Sequence, residues 1–172
     1  PKLNNLCLVG YFQSKKYFLG YEEEVKRLFE FPNRLTKKVM NKFDKIKKKK
    51  VGIHFRLGDY RSENTKEVFY NIDYSLYLKE TTKYFGSEYE FLIFSDDFNS
   101  LRREVNLENL TNLENDNELE DLYSLSQCDS VIMSNSSFSW WGAFLGKKKE
   151  KIICPDKWYG PRGPKDSKDL YE

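Results

Sequence analysis

Apolar and polar positions along this chain fall into blocks that predict strands and helices in turn. The block Val51-Gly52-Ile53-His54-Phe55-Arg56-Leu57-Gly58-Asp59-Tyr60 passes from apolar alternation to turn-forming residues within a few positions, the pattern of a buried strand that ends at a crevice. Upstream, Tyr21, Val25, Leu28 and Phe29 recur at helical spacing over residues 21–31, and Pro32 stops that helix. Leu35, Val39, Phe43 and Ile46 give a second helix its inner face, ending in the lysines at 47–50. The earlier apolar run, residues 6–12, reads as a strand or as a segment packed on the sheet edge.

Beyond the central strand, residues 61–71 are too polar for a core and form a candidate substrate loop. Asp73 can cap a helix over residues 74–85, with Gly86 as its stop. Residues 90–97 repeat the opening design, an apolar strand closing in Ser95-Asp96-Asp97, and Asp97 or Ser100 caps a short helix through Leu101 and Val105. Residues 106–117 read as a weak strand and a loop. Asn117 and Glu120 have the spacing of a capping box for a helix through Leu119, Leu122, Tyr123 and Leu125. Residues 129–134 make another strand, and residues 138–145 an almost wholly apolar helix that must be buried, with Trp140 and Trp141 as core anchors. A short strand at 151–155 and an irregular tail from Lys157 close the chain. Helices alternating with strands imply an α/β domain: a Rossmann-like, mostly parallel sheet with helices on both faces. The 172 residues suffice for one such domain, with no internal repeat.

Composition narrows the partners only slightly. Twenty-nine Lys and Arg against 27 Asp and Glu leave a net charge of +2, which gives no mandate for nucleic acid; the lysines at 47–50 are a solvated connection at a helix C-terminus. The three cysteines, Cys7, Cys128 and Cys154, stand far apart beside apolar residues, which suits reduced, buried thiols better than a disulfide framework or a metal site. No apolar run approaches a membrane span, and the first residues do not form a signal peptide. The chain opens on Pro1 and enters an apolar run almost at once, which reads as a fragment whose beginning lies elsewhere.

In open parallel sheets ligands bind beyond the carboxyl ends of the strands, and three strands here end in polar clusters: His54 to Asp59, Ser95 to Asp97, and Ser134 to Ser137. His54 and Arg56 sit two apart and so project to one face. The planar fork of Arg56 suits the oxygens of a diphosphate. Asn135, Ser136 and Ser137 fall at the N-terminus of the buried helix, where backbone amides, hydroxyls and the helix dipole favour an anion. Arg56 and this helix start would clamp the diphosphate of a nucleotide sugar. Each residue also has a plainer reading. Arg56 can pair with Asp59 or another acid, Ser137 can cap the helix, His54 can be structural, and Asp97 can be a helix cap instead of half of an Asp96-Asp97 metal pair. No Cys or carboxylate spacing makes a metal site with His54, and a metal is unnecessary if Arg56 and the helix start neutralise the diphosphate.

These residues carry a resemblance. His54-Phe55-Arg56-Leu57-Gly58-Asp59-Tyr60 resembles the His-x-Arg-Arg-Gly-Asp motif of the inverting α-1,2-fucosyltransferases, glycosyltransferase family 11. Asp121-Leu122-Tyr123-Ser124-Leu125-Ser126-Gln127-Cys128-Asp129 and Ser134-Asn135-Ser136-Ser137-Phe138-Ser139-Trp140-Trp141-Gly142-Ala143 look like its later motifs, in the same order. Gly10-Tyr11-Phe12-Gln13-Ser14, with Tyr17-Phe18, looks like its mid-chain segment. The resemblance implies the donor lobe of a GT-B-like enzyme, 1–172 being a single GDP-fucose-binding domain, with the N-terminal acceptor lobe missing or truncated. It implies metal-independent transfer of L-fucose from GDP-fucose to a galactose-terminated glycan with inversion, no cofactor, and no nucleic-acid partner. The alternative is a noncatalytic nucleotide-sugar-binding remnant. Carried over by motif, Arg56 contacts the β-phosphate and assists departure of GDP, with His54 the second candidate catalytic residue; His54 and Asp121 are also candidate nucleotide contacts, and Ser136 and Ser137 bind phosphate oxygens. Asp59, Asp97 and Asn135 complete the candidate donor-binding set. Leu57 stands where the family usually has a second Arg, so one cationic contact is expected to be lost. Members of the family are soluble or peripheral at the cytoplasmic membrane in bacteria and Golgi-anchored in animals.

Overall fold

In the computed structural model, which describes residues 7–171, five strands form one wholly parallel sheet. They are β1 (Lys49–Phe55), β2 (Tyr89–Ser95), β3 (Leu110–Asn112), β4 (Ser130–Ile132) and β5 (Lys151–Ile153), in the spatial order β3-β2-β1-β4-β5. The helices between them are α1 (Glu22–Leu28), α2 (Asn33–Phe43), α3 (Tyr74–Thr82), α4 (Phe98–Glu104), α5 (Glu118–Gln127) and α6 (Ser137–Phe144). The Rossmann-like α/β architecture expected from the alternation is the one observed.

The sheet divides the core in two, and the alternation of β1 assigns its residues to the halves. Val51, Ile53 and Phe55 pack with Tyr74 of α3 and with Leu101 of α4 and Val105 beyond it. On the opposite face Leu92, Phe94, Val131 and Met133 pack with Val39 and Phe43 of α2, Leu125 of α5 and Trp140 of α6. Gly52 and Gly142 lie on this second side because Leu125 presses on both: a Cβ at Gly52 would come within 2.5 Å of Leu125 Cδ1, and one at Gly142 within 2.5 Å of Leu125 Cδ2. Cys128 is buried here too, and its thiol pKa is pushed up to about 12 by burial.

Several expectations are corrected. The helix over 21–31 is only Glu22–Leu28 and buries no residue. Its apolar positions serve a surface contact instead, Phe29 lying against Trp141 with ring centroids 4.9 Å apart. The described part of the 6–12 run is not a strand; Leu8, Val9 and Tyr11 are exposed, as is Cys7, so the buried-thiol reading fails for that cysteine. The second helix ends at Phe43, and Lys49 and Lys50 already belong to β1, in register with Tyr89 and Glu90 of β2. The lysine run is spent locally: Lys47 Nζ donates to Asp44 O, Lys49 pairs with Glu150, and Lys50 Nζ donates to Ile46 O. The third helix stops at Thr82, short of Phe85. Trp140 is a core anchor, but Trp141 is only half-buried.

Asn117 caps α5 by accepting from the amides of Leu119 and Glu120, at 3.1 and 3.0 Å. The reciprocal half of the box is displaced by one residue, since Glu120 accepts from the amide of Asp116 instead and pairs with Lys38. Asn117→Ala is therefore expected to lower stability by about 1 kcal/mol, the usual cost of losing a cap, read as a shifted urea midpoint with an unchanged slope.

Candidate functional site

The strand order reverses direction between β1 and β4, so the topological switch point, where parallel sheets open to take ligands, lies between the ends of these two neighbours. Ile53 pairs with Ile132 at that edge. The sequence-predicted residues His54, Arg56 and Asp59 leave β1 on one side, and Asn135, Ser136 and Ser137 leave β4 on the other.

Arg56 lies just beyond β1 with its side chain 31% exposed, 2.7 Å from Asp59 Oδ1 and 3.2 Å from Asp96 Oδ2, its guanidinium over the ring of Tyr60. The backbone below it is fixed: the Arg56 amide donates to Tyr74 Oη, which in turn donates to Arg56 O. Asp96, weighed from sequence only as half of a metal pair, has a different role. Its Oδ1 accepts from the amide of Leu57 at 2.9 Å, tying the exit of β1 to that of β2. A Cβ at Gly58 would come 2.6 Å from Asp96 Oδ2, so glycine makes room for the carboxylate. The signal was present, because Leu92, Phe94 and Asp96 alternate onto the side that also holds His54.

Leu57 is the position at which the resemblance implies a lost cationic contact. Its side chain is 1% exposed and sits in the core with Phe55, Ile72 and Tyr74, so this position faces away from the crevice and a cation here would be buried among apolar groups. Its contribution to the site is its backbone amide on Asp96.

His54 is 4% exposed. Its Nδ1 lies 2.8 Å from Ser134 Oγ and 3.2 Å from Ser139 Oγ, and its ring stacks on Phe138. Burial, with Arg56 nearby, pushes its pKa down to about 3, so the imidazole is neutral at physiological pH. Ser139 Oγ reaches back to the carbonyls of Ser134 and Ser136. His54 thus braces the turn from β4 into α6. Ser134 and Ser139, which complete the brace, were not singled out from sequence as site residues.

At the start of α6 that turn leaves Ser137 partly exposed, while Asn135, Ser136 and Ser139 are buried. The N-cap is Ser136, not Ser137: Ser136 Oγ accepts from the amide of Phe138. The first backbone bond closing the helix is Trp140 N–H to Ser136 O, so the amides of Ser137 and Ser139 have no acceptor among the described residues. Asn135 is 1% exposed, and its Nδ2 donates to the carbonyls of Tyr70 and Trp158 at 2.9 and 2.8 Å. This spends both hydrogens on holding the chain, and Asn135 O accepts from Tyr60 Oη. Residues 61–71, the candidate substrate loop, are pinned across this end of the sheet by Phe69 stacking on Tyr60 and by the bridge between Phe69 and Tyr159.

Two predicted residues are engaged elsewhere. Asp97 caps α4, its carboxylate accepting from the amide and hydroxyl of Ser100, which hold its pKa below the usual range. With Asp96 turned to Leu57 and Arg56, the two acids do not converge as a pair, and no cluster of metal-ligating side chains occurs among the described residues. Asp121 lies in the first turns of α5, its Oδ1 accepting from Asn115 Nδ2 at 2.9 Å and its pKa raised by burial. Among the described residues no helix is long and apolar enough to cross a membrane.

The chain is 27% identical over 170 residues to the O-antigen biosynthesis glycosyltransferase WbnK of Escherichia coli, a match covering 91% of the chain and 56% of that protein. It is 27% identical over 161 residues to an alpha-1,2-colitosyltransferase of Escherichia coli, covering 88% and 55%. It is 27% identical over 167 residues to a galactoside 2-alpha-L-fucosyltransferase of Caenorhabditis elegans, covering 85% and 44%. The chain thus spans about half the length of the curated relatives it matches. No solved structure matches it. The family description "Glycosyl transferase family 11" matches residues 1–171, which include both jaws of the crevice, and the chain therefore belongs to glycosyltransferase family 11.

Proposed function

We propose that this chain is the donor-binding portion of a galactoside α-1,2-fucosyltransferase, taking GDP-fucose at the switch point between β1 and β4 and acting without a metal. The observation that carries the reading is the placement of Arg56 and of Ser137, partly exposed with its amide unbonded, on adjacent strand ends, a cation beside a helix N-terminus. When a galactose hydroxyl attacks C1 of fucose, the new C–O bond forms as the C1–O bond to the β-phosphate breaks, with inversion and loss of the hydroxyl proton. Negative charge then grows on the departing GDP, where preorganised donors lower the barrier. Arg56 is the candidate catalytic residue in that role, and Ser137 offers its amide and hydroxyl. His54, reassigned from a catalytic role, keeps the amides in place. Asp121, with Oδ2 not engaged by Asn115, is the candidate acceptor for the N–H groups of guanine. Asp59 lies at the mouth and exchanges its hold on Arg56 for the ligand. Two relatives are named as α-1,2 transferases of fucose or colitose, which supports this linkage and keeps colitose as the second donor sugar to test.

Calorimetric titration with GDP, UDP and ADP tests the base, and GDP-fucose with lactose, followed by NMR of the product, tests transfer and linkage. GDP is expected to bind at least ~10-fold more tightly than the others, and the product to carry fucose on O2 of galactose. UDP or ADP binding as tightly as GDP would remove the assignment. GDP binding without any transfer supports the alternative, a noncatalytic nucleotide-sugar-binding remnant.

A further inference from the structure

Gln13 lies in the segment before α1 and is 7% exposed, and its Nε2 is buried without a hydrogen-bond partner among the described residues. Buried amide donors are almost always paired, and one left open points to an acceptor that the chain itself does not supply.

The surroundings of Gln13 indicate where that acceptor lies. Trp141 Nε1 donates to Tyr11 O at 3.2 Å, and Phe18, on the other side of Gln13 in sequence, packs on Trp140, Trp141 and Phe144. Trp141 and Ser137 are four apart in α6 and therefore share one helix face. Tyr11 is also within electrostatic reach of Tyr60, whose hydroxyl donates to Asn135 O just ahead of α6. The segment carrying Gln13 thus packs on α6 along the face that Trp141 shares with Ser137. The left-handed backbone of Phe12, φ 47°, turns the chain immediately before Gln13, and Ser14, itself buried, fixes the next turn by accepting from the amide of Lys16.

We infer that Gln13 is a third donor to the diphosphate, its Nε2 serving the anion site from the N-terminal segment that packs on α6. This rests on the donor-site reading above and adds to it a residue from a part of the chain outside the sheet. A carboxamide suits the place. It offers a directed N–H to a phosphate oxygen without adding a charge that would need its own counterion when the site is empty.

The test compares the chain with its Gln13→Leu and Gln13→Glu variants, titrated with GDP and with guanosine. Gln13→Leu, close in shape and without the open donor, is expected to keep or raise the melting temperature while weakening GDP about tenfold and leaving guanosine unchanged. Gln13→Glu, which keeps size and polarity but points a carboxylate at the phosphates, is expected to abolish GDP binding and spare guanosine. Equal GDP affinity for Gln13→Leu and the parent chain overturns the inference while the donor-site reading stands. Equal losses for GDP and guanosine also overturn it, since Gln13 would then not act on phosphate. If the parent chain binds no GDP, the donor-site reading falls and takes the inference with it.

Discussion

Arg56→Ala is expected to weaken GDP roughly 100-fold or more, two charge-assisted hydrogen bonds to phosphate being worth about 3 kcal/mol together, while the protein melts within a few degrees of the parent. The two halves of this expectation come from different contacts. What Arg56 gives the fold is backbone: its amide and carbonyl are both bonded to Tyr74 Oη, and these bonds survive the substitution. What its side chain holds is a pair of carboxylates, Asp59 exposed and Asp96 partly so, and such pairs contribute at most about 1 kcal/mol each. Asp96 also keeps its bond from the amide of Leu57 when the guanidinium is gone. The same weakness makes the side chain available. Arg56 with its two acids carries a net charge of −1, so a diphosphate binds only by drawing the guanidinium away from them, and exposed pairs release it cheaply. Calorimetry with GDP at low and moderate salt reads the loss, and thermal denaturation reads the fold. Unchanged GDP affinity would remove Arg56 from the site.

The fold was legible in this sequence because its strands are short apolar runs closed by polar turns, and the same periodicity placed His54 and Arg56 on one face of β1. Juxtaposition across the sheet was less legible. The pairing of β1 with β4 depends on strand order, which no local pattern encodes, and only that order sets Arg56 beside the start of α6. Resemblance was no guide to the side chain just past the strand end: Leu57, marked as the place of a lost cation, turns into the core and lends its amide to Asp96. Asp96 and Asp97 are adjacent and alike in sequence, and the structure separates them. One ties β1 to β2, and the other caps α4. The N-terminal run misled in another way. Its apolar residues suggested core, yet Leu8, Val9, Tyr17, Leu19 and Leu28 are exposed, while the polar Gln13 and Ser14 among them are the buried ones. Hydrophobic pattern reports burial only where an element packs on the sheet, and this segment packs on α6.

Acidification from pH 7 to pH 5 is expected to cost the protein about 2 kcal/mol through His54 alone, since its pKa of about 3 in the folded state lies far below its unfolded value of roughly 6.5. In that window the unfolded chain takes up a proton that the folded chain refuses, so stability falls with pH, and the fall ends only near the folded pKa. His54 is the one histidine of the sequence. Carboxylates whose pKa values are held low, such as Asp97 and Asp129, lose their contribution only below about pH 4. Lys149, pushed down to about 8 by burial, has its effect at higher pH. Asp121, raised by burial, acts with the opposite sign, so a variant is needed to isolate the histidine. His54→Asn keeps a polar atom near Nδ1 for Ser134 and Ser139 and does not titrate. Urea denaturation of both proteins at pH 7 and pH 5 should show the parent losing about 2 kcal/mol more than the variant. An equal loss in the two would mean that His54 is protonated in the fold, and a charged imidazole beside Arg56 would then contribute directly to anion binding. The expected result gives it the other role, that of a neutral brace whose two serine contacts hold the start of α6, with the unbonded amide of Ser137, in place before any ligand arrives.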